Sequence, residues 1–230
     1  MGSGRYVPDS EAREIICTLG ARAYQAGLMC SCDGNISVKV ADDKLWVTPA
    51  GVSKGFLTPD MLVKMDLAGN IIEAGDMRPS SEIKMHLRVY NENSDIQSVF
   101  HAHPIYGTVY AIAGKSLDTA LLAENVVFLG AIPCAPYATP GTEEVPESVA
   151  PFCKEYNGCF LGNHGTLTWG EDAYEAYYRL ESLEHACKMD ILLNSSLKQI
   201  NPLTADMVEK LYGLRKAYGY KRGGKMKILD

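Results

Sequence analysis

Apolar residues in this 230-residue chain switch back and forth between helical spacing and strict alternation, and that switching limits the fold more than any other feature. Residues 9–27 begin at Asp9 or Ser10 as a helix cap, carry Ile15, Ile16, Leu19, Ala23 and Tyr24 at helical intervals, and stop at Gly27. "NISVKV" and "LWVTPA" alternate like strands, with "ADDK" between them as a hairpin turn. "MLVKMDLAGNIIEAG" reads as strand, turn at Gly69–Asn70, strand. "SSEIKMHLRVYNEN" is helical, with Ile83, Leu87 and Tyr90 on one face, and "IQSVFHAHP" is a strand ending at Pro104. "IYGTVYAIAG" is a short helix, and "GAIPCAPYATPGT" is extended and turn-rich. "SVAPFCKEYNG" is read as a helix despite Pro151, and "GCFLGNHGTLTWG" as two strands around a tight turn. Residues 172–197 and 204–219 supply two last helices. Helices alternating with strands and strand pairs predict one α/β domain with a mixed sheet, spanning 1–230 without a linker.

Composition narrows the function. A net charge of −6 argues against a general nucleic-acid binder, which would show a basic face. The basic "YKRGGKMK" does not overturn this; it is expected to be an exposed, flexible tail from about residue 219. No run approaches the roughly 18 apolar residues of a membrane span, so no membrane partner is expected. Seven cysteines are scattered through apolar segments, and "MGSGRYVPDSEARE" lacks the apolar core of a secretory leader. Buried thiols in a reducing cytoplasm are therefore expected, rather than a disulfide framework. Cys30 and Cys32 in "MCSCDGN" form a CxC pair, a weak metal signal without a second pair.

Two of the five histidines fall in "HAH". On a strand, His101 and His103 share one face, with Cα atoms roughly 6.5–7 Å apart. They can converge on one metal, or simply end the strand toward solvent. His164, in "LGNHGTL" between Gly162 and Gly165, is a turn residue that would make a third imidazole; three plus an open position is a catalytic-zinc arrangement. In "RPSSEIKMH", Pro79 and Ser80 look like a helix start, placing Ser81 and Glu82 in a first turn that can hold an anion. His86, four residues after Glu82, is either a further ligand or a packed side chain. "CDGNISV" and "TPAGVSKG" are further anion-binding turns, the first exposing N–H groups at Gly34–Asn35, the second flanking Ser53 and Lys54 with Gly51 and Gly55.

In order, "GNIS", "TPAG", "PSSE", "HAH", "PCAPYATPGT" and "NHG" resemble the class II aldolase/adducin superfamily, over about Ala21 to Tyr218. The likeness is closest to zinc-dependent phosphosugar aldolases of the L-fuculose-1-phosphate aldolase type. The resemblance implies a three-layer α/β/α sandwich around a mostly antiparallel central sheet, and a C4 homotetramer with active sites between subunits. It implies that His101, His103 and His164 bind one Zn2+ per subunit. Glu82 would ligate the ion in the empty site and act as base when substrate arrives. Asn35, Gly51, Ser80 and Ser81 would hold the substrate phosphate, and Tyr218 would close over the site on a mobile tail. The implied reaction is cleavage of a ketose 1-phosphate to dihydroxyacetone phosphate and an aldehyde, the ion stabilising the carbanion as a Lewis acid. A Schiff base on Lys54 or Lys84 is the competing chemistry.

Two positions depart from the family pattern. Ala50 stands where a threonine of the phosphate site is expected, and Leu122 where a neighbouring subunit's proton-donating tyrosine is expected. Glu124 lies two residues from Leu122. Leu122 suits an apolar aldehyde end, so a 5-deoxy- or 5-methylthio-pentulose 1-phosphate is as reasonable a substrate as L-fuculose 1-phosphate. The alternatives are an L-ribulose-5-phosphate 4-epimerase-like enzyme, a related sugar-phosphate decarboxylase or dehydratase, and, in another class, a non-catalytic adducin-like binding module.

Overall fold

A computed structural model describes residues 5–229. Helix α1 is Asp9–Gln25, and Asn35–Lys39 (β1) with Lys44–Val47 (β2) forms the first hairpin. Val63–Asp66 (β3) and Ile71–Glu73 (β4) extend it. There follow α2 (Ile83–Glu92), β5 (Ser98–Ala102) and α3 (Ile105–Ala113), then β6 (Cys134–Ala135) and α4 (Glu144–Val149). Gly158–Leu161 (β7), Gly165–Gly170 (β8), α5 (Ala173–Leu192) and α6 (Ala205–Ala217) complete the order. The strands form one mixed sheet, β4-β3-β2-β1-β5-β8-β7-β6, in which only β6 and β7 run parallel. No helix among the described residues is long and apolar enough to cross a membrane.

Strand alternation sends side chains to two apolar clusters. Leu45, Val47, Val63, Val99, Leu167 and Trp169 pack with Met85 and Val89 of α2 and Val145 and Val149 of α4. Trp46, Phe100 and Ile36 instead join Ile16 and Leu19 of α1 and Ala176, Tyr177 and Leu180 of α5. Leu45 and Trp46 are sequence neighbours, as are Val99 and Phe100, so the clusters occupy opposite faces of the sheet. With both faces covered, β1, β5 and β8 are buried along their whole length. Each large apolar side chain so buried contributes about 1.5–3 kcal/mol.

Two helices start away from where the sequence pattern places them. The helix expected from Pro79 starts only at Ile83. An isolated bridge to Pro49 holds Pro79 extended, and Ser80 folds the next turn, accepting from the N–H of Ile83 (carbonyl, 3.1 Å) and of Glu82 (Oγ, 3.3 Å). The helix expected around Pro151 forms earlier, as α4, and yields to a 3-10 turn at Ala150–Phe152, because proline brings no N–H to an α-helical ladder. "PCA", in the stretch read as extended and turn-rich, pairs over two residues as β6.

The tail from about residue 219, expected to be exposed and flexible, instead returns along residues 118–131 after α6, because its backbone finds hydrogen-bond partners there and Arg222 and Met226 are buried. Lys227 is bridged to Thr119, the Ala131 N–H donates to the Gly223 carbonyl (2.7 Å), and Met226 is buried. Arg215 fastens this return by donating from Nε to the Val126 carbonyl (2.9 Å) and from Nη1 to the Gly224 carbonyl (3.0 Å).

Candidate metal centre

The centre forms where β5 ends between β1 and β8. In register, His101 lies opposite Asn35 on one side and Leu167 on the other. Its imidazole is wholly buried, and Nδ1 lies 2.9 Å from the Thr166 carbonyl. A carbonyl only accepts, so Nδ1 carries the proton and Nε2 presents a lone pair. His103, one residue beyond the strand, turns its Nε2 to within 2.9 Å of the His101 Nε2. Its Nδ1 faces Asp33 Oδ2 at 3.6 Å, which favours a proton there and leaves the second lone pair aimed at the first.

His164 comes from the turn between β7 and β8. Asn163 takes φ +56°, a left-handed conformation that asparagine tolerates better than most residues, and the His164 N–H closes the turn on the Leu161 carbonyl (2.9 Å). Gly165 lets β8 press against the site, since a Cβ there would lie 2.5 Å from His103 Cδ2. The three rings stand 4.7, 4.7 and 4.9 Å apart, and their ligating nitrogens lie within 4.8 Å of one another.

Glu82, in the capping position of α2, completes the group. Its Oε1 is 3.0 Å from His164 Nε2 and its Oε2 3.4 Å from His101 Nε2. Burial opposes its ionisation, but the hydrogen bond from His164, with the electrostatic pull of the surrounding imidazoles, outweighs burial and lowers the carboxyl to about 2. Burial pushes the His101 imidazole well down, and burial with the charge of His164 lowers His103, so both favour the neutral, ligating form. Facing lone pairs beside a carboxylate repel one another unless a cation sits among them. Three imidazoles and one carboxylate are the donor set of a divalent transition ion, and the residues fit one.

The expected anion-binding residues gather at the same end of β1. Asn35 is 1 % exposed and donates from Nδ2 to Ser80 Oγ (3.0 Å), while its Oδ1 has no partner. With the amide turned over, Ser80 would donate to Oδ1 and an N–H would point at the unpartnered position, as an anion requires. Gly51 takes φ +71° with open space where a Cβ would be, and Ser81 is exposed beside Gly141. The residues expected to meet the anion thus stand at the start of β1 and on turns rather than in the first turn of a helix.

Other sequence candidates fall elsewhere. His86 is fully buried and its Nδ1 pairs with Ser37 Oγ (2.8 Å); burial lowers it to about 3, and it packs rather than joining the cluster. Lys84 pairs with Glu143 (2.5 Å), and Lys54 is buried with its ammonium on two carbonyls, so neither is free to form a Schiff base. All seven cysteines are free, and Cys30 and Cys32 stand outside the histidine group. Tyr218 is 66 % exposed at the end of α6, and among the described residues no hydrogen bond joins it to the site. Leu122 lines an apolar cavity of about 510 Å³ with Leu117, Leu121, Met189, Leu193 and Leu197. Sequence reasoning missed Asp33 and the Thr166 carbonyl, although Asp33 sits inside the quoted "CDGN".

Comparison with known proteins bears on these observations. The profile of the class II aldolase and adducin N-terminal domain family matches residues 14–191. An L-fuculose phosphate aldolase of Methanococcus maripaludis is 31% identical over 185 residues, 78% of this chain and 94% of that protein. A 3-oxo-tetronate 4-phosphate decarboxylase of Pectobacterium atrosepticum is 31% identical over 208 residues, 88% of this chain and 93% of that one. A solved structure of an L-fuculose 1-phosphate aldolase superposes with TM-score 0.82 at 27% identity, covering 94% of this chain and 100% of the other.

Proposed function

From the premise that this chain belongs to the class II aldolase and adducin N-terminal domain family, as a metal-dependent lyase of the class II aldolase type, we propose that it is a zinc-dependent phosphosugar aldolase. It would cleave a ketose 1-phosphate, either L-fuculose 1-phosphate or a 5-deoxy- or 5-methylthio-pentulose 1-phosphate, to dihydroxyacetone phosphate and an aldehyde. The observation that carries this reading is the meeting of three imidazoles and Glu82 beside β1, where Asn35, opposite His101 in register, pairs with Ser80. The helices on both faces of the sheet support a three-layer α/β/α sandwich, and we take 1–230 as one domain whose tail from about 219 packs back along residues 118–131; residues 1–4 and 230 lie outside the described part. The remaining proposals are a cytoplasmic homotetramer with inter-subunit active sites, one ion per subunit, and no nucleic-acid or membrane partner.

His101, His103 and His164 would hold the zinc, with Glu82 as fourth ligand until substrate displaces it. The ion supplies Lewis acidity for the charge that develops when the C3–C4 bond breaks. Glu82, ionised at neutral pH and held at the cluster by His164, is placed to move the proton at C3. Asn35, Gly51, Ser80 and Ser81 would grip the phosphate, whose binding energy orients the reacting carbons. Burial of His101 keeps water from its side of the site. Tyr218 would have to reach a site by movement of the tail or from another subunit, because it stands exposed here.

The relative from Pectobacterium atrosepticum favours a second reading, decarboxylation. Loss of carbon dioxide from a 3-oxo-tetronate 4-phosphate also leaves dihydroxyacetone phosphate, so the co-product separates the two. The protein should be given a panel of ketose 1-phosphates and the oxo acid phosphate, with and without a chelator, while aldehyde, carbon dioxide and dihydroxyacetone phosphate are followed. Aldehyde release abolished by the chelator is expected. Carbon dioxide alone would select decarboxylation, epimerised sugar without fragments an epimerase, and activity surviving complete metal removal would sink the zinc reading. Absence of both metal and turnover would leave the adducin-like module.

A further inference from the structure

Lys54 is 2 % exposed, yet among the described residues no carboxylate lies within 4.0 Å of its ammonium. Burying a cation without a counter-charge is costly, and an ammonium normally escapes by snorkelling to water or losing its proton. Here the side chain stays buried, with its nitrogen held on backbone carbonyls. Nζ donates to the Cys32 carbonyl at 2.6 Å and to the Val52 carbonyl at 2.9 Å, leaving one of its three N–H donors without a partner in the chain. The stem is locked from the other side by α1, where a Cβ on Gly20 would meet the Lys54 carbonyl at 2.7 Å.

The two carbonyls belong to different loops. Cys32 lies in the loop before β1, in which Ser31 is held at φ +51°, Asp33 faces His103, and Gly34 passes so close to the His101 carbonyl that a Cβ would sit 2.6 Å from it. A left-handed serine persists only where its surroundings impose it. Val52 lies in the loop that carries Gly51, and the Cys32 thiol adds a second tie by reaching the Gly51 carbonyl at 3.4 Å. Beside Val52 the hydroxyl of Ser53 is buried with no partner, as is the Oδ1 of Asn35 across the gap. An unbalanced buried cation thus ties the metal-facing loop to the anion-binding loop, with unsatisfied polar groups around it. Burial lowers the Lys54 pKa, opposed first by Cys32 and then by Asp33 and Glu82, the last two of which stand at the histidine cluster.

We propose that Lys54 is a positioning residue: its ammonium fixes the 30–34 and 51–53 loops to each other, and its unbalanced positive charge is completed by the phosphate of the substrate. This deepens the phosphosugar reading and rests on it. Carbonyls pulled toward Lys54 turn the opposite edges of both loops, with their N–H groups, toward the anion. The charge need not touch the phosphate to favour it, because the dry surroundings screen little. The same lysine therefore makes one arrangement serve both the ligand orientation at His103 and the grip at Gly51.

The test compares dihydroxyacetone phosphate with dihydroxyacetone by calorimetry on the zinc-loaded protein, for the wild type, Lys54→Met and Lys54→Arg. Loss of the buried charge predicts a fall of about 10- to 100-fold in affinity for dihydroxyacetone phosphate in Lys54→Met, larger than any fall in affinity for dihydroxyacetone. Lys54→Arg, which restores the charge, should recover the greater part of the affinity. Unchanged affinity for dihydroxyacetone phosphate in Lys54→Met, or an equal loss for both ligands, overturns the proposal. Should Lys54→Met not fold, Lys54→Gln, which keeps a donor for the carbonyls without the charge, carries the same comparison. A wild type that binds both ligands equally overturns the phosphosugar reading itself, and is told apart by needing no variant.

Discussion

A single added carbon at position 165 would fall 2.5 Å from His103 Cδ2 and 2.7 Å from the Ala102 carbonyl. One of these is a ligand ring and the other is the strand that carries it, so neither can give way without moving the centre. Gly165→Ala is expected to lose stoichiometric metal while keeping its far-ultraviolet circular dichroism, as measured by elemental analysis of the dialysed protein. A variant that stays fully loaded would show that the His103 ring has freedom the packing denies it. At this scale the sequence was most informative where chemistry is local: "HAH" and "NHG" name three ligands because strand alternation and a glycine-flanked turn are short-range facts. It was silent on what orients them. The Thr166 carbonyl that sets the tautomer of His101 is 65 residues away, and a backbone oxygen leaves no mark on a residue pattern.

Elements meet the centre through side chains that act at a distance. Glu184 of α5 caps α3, accepting from the N–H groups of Tyr106 (3.1 Å) and Gly107 (2.7 Å). These are donors of the first helical turn, which have no partner within the helix. Glu184→Ala should cost about 1–2 kcal/mol, a fall of roughly 2–8 °C in Tm for a chain of this size, measured by scanning calorimetry. Because α3 follows His103 and Pro104 directly, its metal affinity should weaken too. His86 joins α2 to β1 through Ser37 and is held near 3 by burial, against an unfolded value of 6.5. Below 6.5 the unfolded chain takes up a proton that folded His86 refuses. Stability from this group is therefore complete above pH 6.5 and is lost progressively as pH falls toward 3, by up to about 1.4 kcal/mol per unit. The difference in Tm between wild type and His86→Gln, followed from pH 7 to 4, should narrow as acid is added; a constant difference would rule the linkage out. The periodicity of α2 was plain in the sequence, but its start was not, because the Ser80 turn and the Pro49–Pro79 bridge are a competition that helical spacing cannot register.

For the molecule as a whole, both apolar clusters were foreshadowed by alternation within the strands, whereas the strand order was not. Which strands become neighbours depends on how the crossovers pack, and the short parallel partner β6 carries too few residues to announce itself. Nor does one chain account for its own surface. Ile105, Val109 and Ile112 expose 69%, 47% and 60% of their area in a stripe along α3, directly after the metal-binding histidines. The proposed homotetramer would cover such a face, so light scattering on the wild type should give the mass of four chains, and Val109→Glu should give a smaller species. A monomeric wild type would leave the inter-subunit site without support. Of the candidate metal ligands, His101 is held in the middle of the sheet, where β1, β5 and β8 fix one another's register, and the others gather round it from the end of β5, the β7–β8 turn and the start of α2, while Leu121 and Leu122 sit in an irregular stretch outside every strand. Under the proposed function the metal centre and the Leu122 cavity thus lie in separately mutable parts of the chain, and a combinatorial library confined to residues 117–125 could be searched for new aldehydes without rebuilding the metal centre.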